Sequence, residues 1–117
     1  MKIDIQEVCG KKTVTREEGQ VINQMLTDQW DRTDQFQLDF GNLLIASVSF
    51  IDEAFGKLAL CHTSEDLKRK LVFKNMVPYD RKLLNDIIIS RLRQQTLETR
   101  NACRSALRKN GEVSAAQ

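Results

Sequence analysis

Cys61 stands beside His62, and Asp52 beside Glu53, so these four side chains are the chain's first candidates for nucleophilic, acid–base or metal chemistry. His62 is the only histidine, so a histidine-rich metal site is ruled out and any imidazole chemistry falls on this one ring. Neighbours in sequence usually point apart. Cys61 and His62 therefore make a poor nucleophile–base pair, and with Glu65 and Asp66 a poor ligand set. Asp52 and Glu53 fall where a first helical turn is expected, and acids are common there because the macrodipole favours them. Gly10-Lys11-Lys12-Thr13 lacks the glycine five residues ahead that a phosphate loop needs, and Gly-x-Gly-x-x-Gly is absent, so neither nucleotide motif is present. The residues give no catalytic set, no metal site and no cofactor, and the expectation is a protein without enzymatic chemistry.

Charge offers a different kind of contact. The chain has 117 residues and a net charge of +2, unevenly spread: residues 91 to 117 hold six Lys or Arg against two Glu, and the rest is slightly acidic. Arg100, Arg104 and Arg108 recur at i, i+4 and i+8, which would align them along one continuous helix. Such a stripe suits nucleic-acid phosphates or an acidic protein. It contains no aromatic residue for base stacking, which favours a solvated face or an acidic protein partner over nucleic acid.

The elements that must position these residues follow from pattern. Ile3, Ile5 and Val8 suggest an opening strand, with Gly10 as its turn. Thr15-Arg16-Glu17-Glu18 is a capping box, and Val21, Ile22, Met25 and Leu26 give the following helix an apolar face ending near Thr27 to Trp30. Phe36, Leu38 and Phe40 alternate as a second strand, and Leu43-Leu44-Ile45 continues without a polar face, as a segment covered on both sides would. Ser49-Phe50-Ile51-Asp52 is a second capping box, so Ser49, with Ser47 as the alternative cap, is expected to start a helix whose buried side holds Phe50, Ile51, Ala54, Phe55 and Leu58. Gly56 would let that helix approach a neighbour closely. Leu71-Val72-Phe73 is a short buried strand, and Pro78 precedes a last helix that nothing obliges to stop before Asn110. Alternating strands and helices predict an α/β fold in one domain, with a mostly parallel or mixed sheet. Three dispersed cysteines, Cys9, Cys61 and Cys103, are expected to be free thiols. The longest apolar stretch is far below the roughly 18 residues that cross a bilayer, and no secretory leader is apparent, so a cytoplasmic protein without membrane contact is expected.

Phe36-Gln37-Leu38-Asp39-Phe40, followed by Ala46-Ser47-Val48-Ser49-Phe50-Ile51-Asp52-Glu53-Ala54-Phe55-Gly56, resembles the bacterial STAS-like domain family, distant relatives of sulfate-transporter and anti-sigma factor antagonist STAS domains. The resemblance implies a small mixed sheet flanked by helices over residues 1–97; outside it, charge and pattern make 98–117 a basic helical extension and frayed tail. It also implies a regulatory docking module whose partner is another protein, typically an ATP-binding kinase-like regulator. In antagonists a serine at the start of the second helix is phosphorylated. The matching position is Ser49, although their Asp-Ser-Ser-Gly is replaced here by Ser47-Val48-Ser49-Phe50. The expected contact surface is Ser47, Ser49, Phe50, Asp52 and Glu53. The alternatives are nucleic-acid binding through Arg100, Arg104 and Arg108, or an adaptor or inhibitor subunit of a larger complex, and a homodimer is compatible with each.

Overall fold

A computed structural model describes residues 1–100. In chain order it contains β1 (Lys2–Asp4), α1 (Ile5–Cys9), β2 (Thr13–Val14), α2 (Arg16–Gln29), β3 (Phe36–Asp39), β4 (Ile45–Ala46), α3 (Val48–Ile51), a π-helical turn (Asp52–Gly56), α4 (Lys57–Cys61), α5 (Ser64–Lys70), β5 (Leu71–Lys74) and α6 (Pro78–Gln94). The main sheet has the order β1-β3-β5, and β2 pairs with β4 as a separate short ribbon. The described pairings are all parallel. The fold is the α/β class that alternating elements imply, with a small parallel sheet.

Register gives the sheet two unlike faces. Ile3, Leu38 and Phe73 stand abreast, as do Phe36 and Leu71, and strand alternation places all five on one side. The intervening rows carry Lys2, Gln37 and Val72, then Asp4, Asp39 and Lys74, which are exposed or half-buried. The apolar face is the one the helices cover. Phe55 meets Phe73 edge-on at 5.1 Å between ring centres, and Phe40 lies 6.3 Å from Phe50, so rings from helix and sheet form one aromatic cluster.

The central helical run from Val48 to Cys61 is buried on more than one side. Glu53, Ala54, Phe55 and Gly56 are four consecutive buried residues, nearly a full helical turn. This is sterically feasible because α2 lies against one side of the π turn and α6 against another. Glycine permits both approaches. A Cβ at Gly19 of α2 would lie 2.8 Å from both the Glu53 Cβ and the Phe50 carbonyl oxygen, and one at Gly56 would lie 3.0 Å from the Ile87 Cγ2 of α6. The close approach expected at Gly56 is therefore present, and Gly19 has the same role on the opposite side. Asn23 of α2 adds a bond to the Ala54 carbonyl at 3.2 Å, inside the turn where the regular ladder widens.

Several local expectations change. Ile5 is buried, but it opens the short helix α1, capped by Asp4, which accepts from the Glu7 N–H at 3.0 Å; the opening strand therefore stops at Asp4. Leu43 to Ile45 does not enter a covered sheet: Leu44 is 75% exposed, and Ile45 belongs to the ribbon edge. The helix expected to run on unbroken stops at Gln94, where Gln95 turns to extended backbone and its side chain donates to the Ala59 and His62 carbonyls at 2.8 and 2.7 Å, and helical backbone resumes only at Leu97. Cys61 is engaged in a disulfide, which corrects the expectation of free thiols there, whereas Cys9 is free.

An alanine at position 19 would gain up to about 1 kcal/mol of intrinsic helix propensity. Here the methyl has nowhere to go, so Gly19→Ala is expected to lower stability by about 1–3 kcal/mol in a thermal or urea melt. A raised melting temperature would contradict the packing described.

Candidate functional site

The segment that carries Ser47 and Ser49 is fixed from both ends. Upstream, the Leu44 and Ile45 N–H groups donate to the Lys12 carbonyl at 2.8 and 3.2 Å, and the Ser47 N–H donates to the Val14 carbonyl at 3.1 Å. Downstream, the Ser47 hydroxyl accepts from the Phe50 N–H at 3.1 Å and its carbonyl accepts from Ile51. Ser47 is therefore the N-cap. The expected cap at Ser49 lies two residues into the helix instead, half-buried in its first turn. The first capping box is as expected: Glu18 accepts from the Thr15 N–H at 2.9 Å, and this bond chiefly holds its carboxyl below the usual range.

The remaining expected contact residues point inward or are already paired. Phe50 is fully buried in the aromatic cluster. Glu53 is 7% exposed, bonded to Lys57 Nζ at 2.5 Å and Gln20 Nε2 at 3.4 Å, and the ammonium holds its carboxyl low. Asp52 receives a two-pronged bond from Arg91 of α6, Nε to Oδ1 at 2.8 Å and Nη2 to Oδ2 at 2.6 Å. That guanidinium chiefly lowers the Asp52 carboxyl. Both acids thus fasten the π turn to its neighbours. Residues not anticipated from the sequence take up the outward face instead: Leu44, Ile45 and Val48 are 75%, 58% and 55% exposed, flanking Ser47 and Ser49.

The other candidates have structural settings. His62 stacks on Trp30, ring centres 4.1 Å apart, and burial lowers its pKa. Lys70 is buried and donates to the Trp30 carbonyl and, at 2.7 Å, to the Thr33 carbonyl, placing a cation at the C-terminal end of α2. Its ammonium lies 5.3 Å from the Trp30 ring centre. No sequence signal marked it. Gly10 adopts the left-handed conformation as the cap of α1, and Lys11 reaches Glu18 at 3.4 Å, which makes Gly10-Lys11-Lys12-Thr13 a turn. Arg100 bonds to Gln95, so it does not extend the line of α6; Arg104 and Arg108 lie outside the described residues. Among the described residues no group of three or more His, Cys, Asp or Glu could hold a metal ion, and no helix is long and apolar enough to cross a membrane.

The sequence matches a family model described as a STAS-like domain of unknown function (DUF4325) over residues 19–81, just over half of the chain. No curated protein and no solved structure matches it.

The Asp52 pair has a pH consequence. Its folded-state pKa is depressed, so its stabilisation is fully present above the unfolded value of about 3.9 and is lost as pH falls through the folded value. Asp52→Asn should therefore lower the melting temperature at pH 7 and reduce the drop between pH 6 and pH 3. An unchanged drop would show that the Arg91 pair carries none of the acid sensitivity.

Proposed function

We propose that this chain, which belongs to the STAS-like domain family, acts as a non-enzymatic regulatory module that docks on another protein through residues 44 to 49. The observation that supports this reading is the exposed row Leu44, Ile45 and Val48 beside two serines, on a backbone tied down at both ends. Three neighbouring aliphatic side chains held out by a rigid ribbon and helix start gain most by being covered, and their preset geometry lowers the entropy cost of binding. The partner inferred is an ATP-binding kinase-like regulator, as the likeness to antagonists implies.

Ser49 is the position inferred to accept phosphate. The Ser47 oxygen is already used in capping, whereas no such bond engages Ser49 as a cap. A phosphate there would bring about −1.5 to −2 charge next to Val48, at the end of the aliphatic row. The nearby carboxylates Asp52 and Glu53, which would repel it, are offset by Arg91 and Lys57. Phosphorylation would therefore act chiefly on the partner, by placing a solvated dianion where apolar contact is needed.

The test is a pull-down of the tagged protein from its own host, with mass spectrometry of both partner and bait, followed by affinity measurement with Leu44→Asp and Val48→Asp. Each substitution is expected to weaken the complex at least about tenfold, roughly 1.4 kcal/mol. Stability should change by no more than about 0.5 kcal/mol. A complex unaffected by both substitutions would place the interface elsewhere. Phosphate on Ser49 in the unbound fraction alone would support a switch, and phosphate equally present in the complex would contradict one.

A further inference from the structure

The strand β5 ends the sheet, and its outer side opens onto a groove of about 440 Å³ between α5 and α6. The groove walls are apolar: Leu71 and Phe73 from the strand, and Leu84, Ile88, Ile89 and Leu92 from α6. Ile89 is 47% exposed. The charged residues of the lining are Lys68 and Arg81, both exposed, and no carboxylate lines it.

The strand edge has its own polar complement. The Lys74 carbonyl accepts from the Phe40 N–H at 2.9 Å, toward β3, so alternation turns the backbone groups of Phe73 to the outer side. There the Phe73 carbonyl accepts from Arg81 Nη2 at 3.2 Å. This side chain is a surface arginine that can be displaced, so the edge has one flexible cover over an acceptor that an added strand could use.

We propose that this groove binds an extended acidic segment of a partner protein, laid beside β5 as an added strand. Its backbone N–H would replace Arg81 on the Phe73 carbonyl, and the alternate side chains that face the groove would be apolar against its aliphatic walls and acidic where they meet Lys68 and the released Arg81. Charge complementarity selects this occupant. The chain's own residues 101 to 117 carry Arg104, Arg108 and Lys109 against Glu112, the same sign as the groove. Two copies paired β5 to β5 would oppose Lys68 and Arg81 to themselves. The groove shares no residue with the 44 to 49 surface, so this inference stands apart from the docking reading above.

The test is fluorescence polarisation of the full chain with a labelled peptide of about nine residues, the length of a long strand, with valine and aspartate or glutamate sharing one set of alternate positions and threonine at the others. Two comparison peptides carry lysine in place of the acids, or N-methyl groups on alternate backbone amides. The acidic peptide is expected to bind, more weakly as salt rises, with the lysine and N-methyl peptides at least about tenfold weaker. Arg81→Glu and Ile89→Asp, both on exposed side chains, should each weaken it similarly, whereas Lys2→Glu on the opposite sheet face should not. Equal binding of acidic and lysine peptides, indifference to N-methylation, or no binding by the folded wild-type chain would overturn the proposal. So would a concentration-dependent dimer in sedimentation that Arg81→Glu abolishes without any peptide binding, because the occupant would then be a second copy.

Discussion

The rest of the molecule depends on one steric constraint: the central helical run must fit between α2 and α6 while also resting on the sheet. Interiors pack at crystal-like density, so a helix confined in this way has no slack for an extra methyl on either flank. Gly19 and Gly56 meet that condition from opposite sides, and the π turn between Asp52 and Gly56 brings four successive residues under cover. Phe50 and Phe55 then reach the sheet rings, so the tightness of the lateral contacts sets the depth of the aromatic cluster.

The assignment of polar groups follows from the same confinement. Burying an acid requires a partner, and Glu53 and Asp52 obtain theirs from Lys57 and from Arg91 on α6. These residues resembled a binding surface in the sequence, yet their charge is used to hold helices together. What remains outward is the approach to the helix, where the β2–β4 ribbon and the Ser47 cap fix a short aliphatic row. Burial changes along this one segment: Phe50, Ile51 and residues 53 to 56 are buried, whereas Leu44, Ile45 and Val48 are exposed around the buried Ala46.

Much of this was legible in the sequence where a local signal and the tertiary structure agreed. The Thr15 capping box, the alternation of Phe36, Leu38 and Phe40, and Pro78 at the first position of α6 each specify an element boundary by short-range chemistry, and each is found in place. Signals that could be satisfied in two ways were less decisive. Ser47 and Ser49 both precede an apolar run, and the choice of Ser47 depends on its N–H being held by Val14, a contact 33 residues away in sequence. The ribbon pairs two residues with two, too short for any periodicity to register. The π turn leaves the apolar spacing of Phe50, Ala54 and Phe55 indistinguishable from that of an α-helix. Lys70 reads as one more surface cation until Trp30 and Thr33 turn their carbonyls toward it. The end of α6 at Gln94 is set by Gln95 bonding back to α4 and His62, which no local breaker announces.

The most direct test of the central claim, a rigid STAS-like scaffold presenting residues 44 to 49 to a protein partner, is site-specific photo-crosslinking in the host. A photoreactive side chain at position 48 would be compared with one at position 17, an exposed site on the first turn of α2. The account predicts one dominant protein adduct from position 48 and none of that adduct from position 17. Equal adducts from both positions, or none from position 48 while the purified complex is intact, would contradict it.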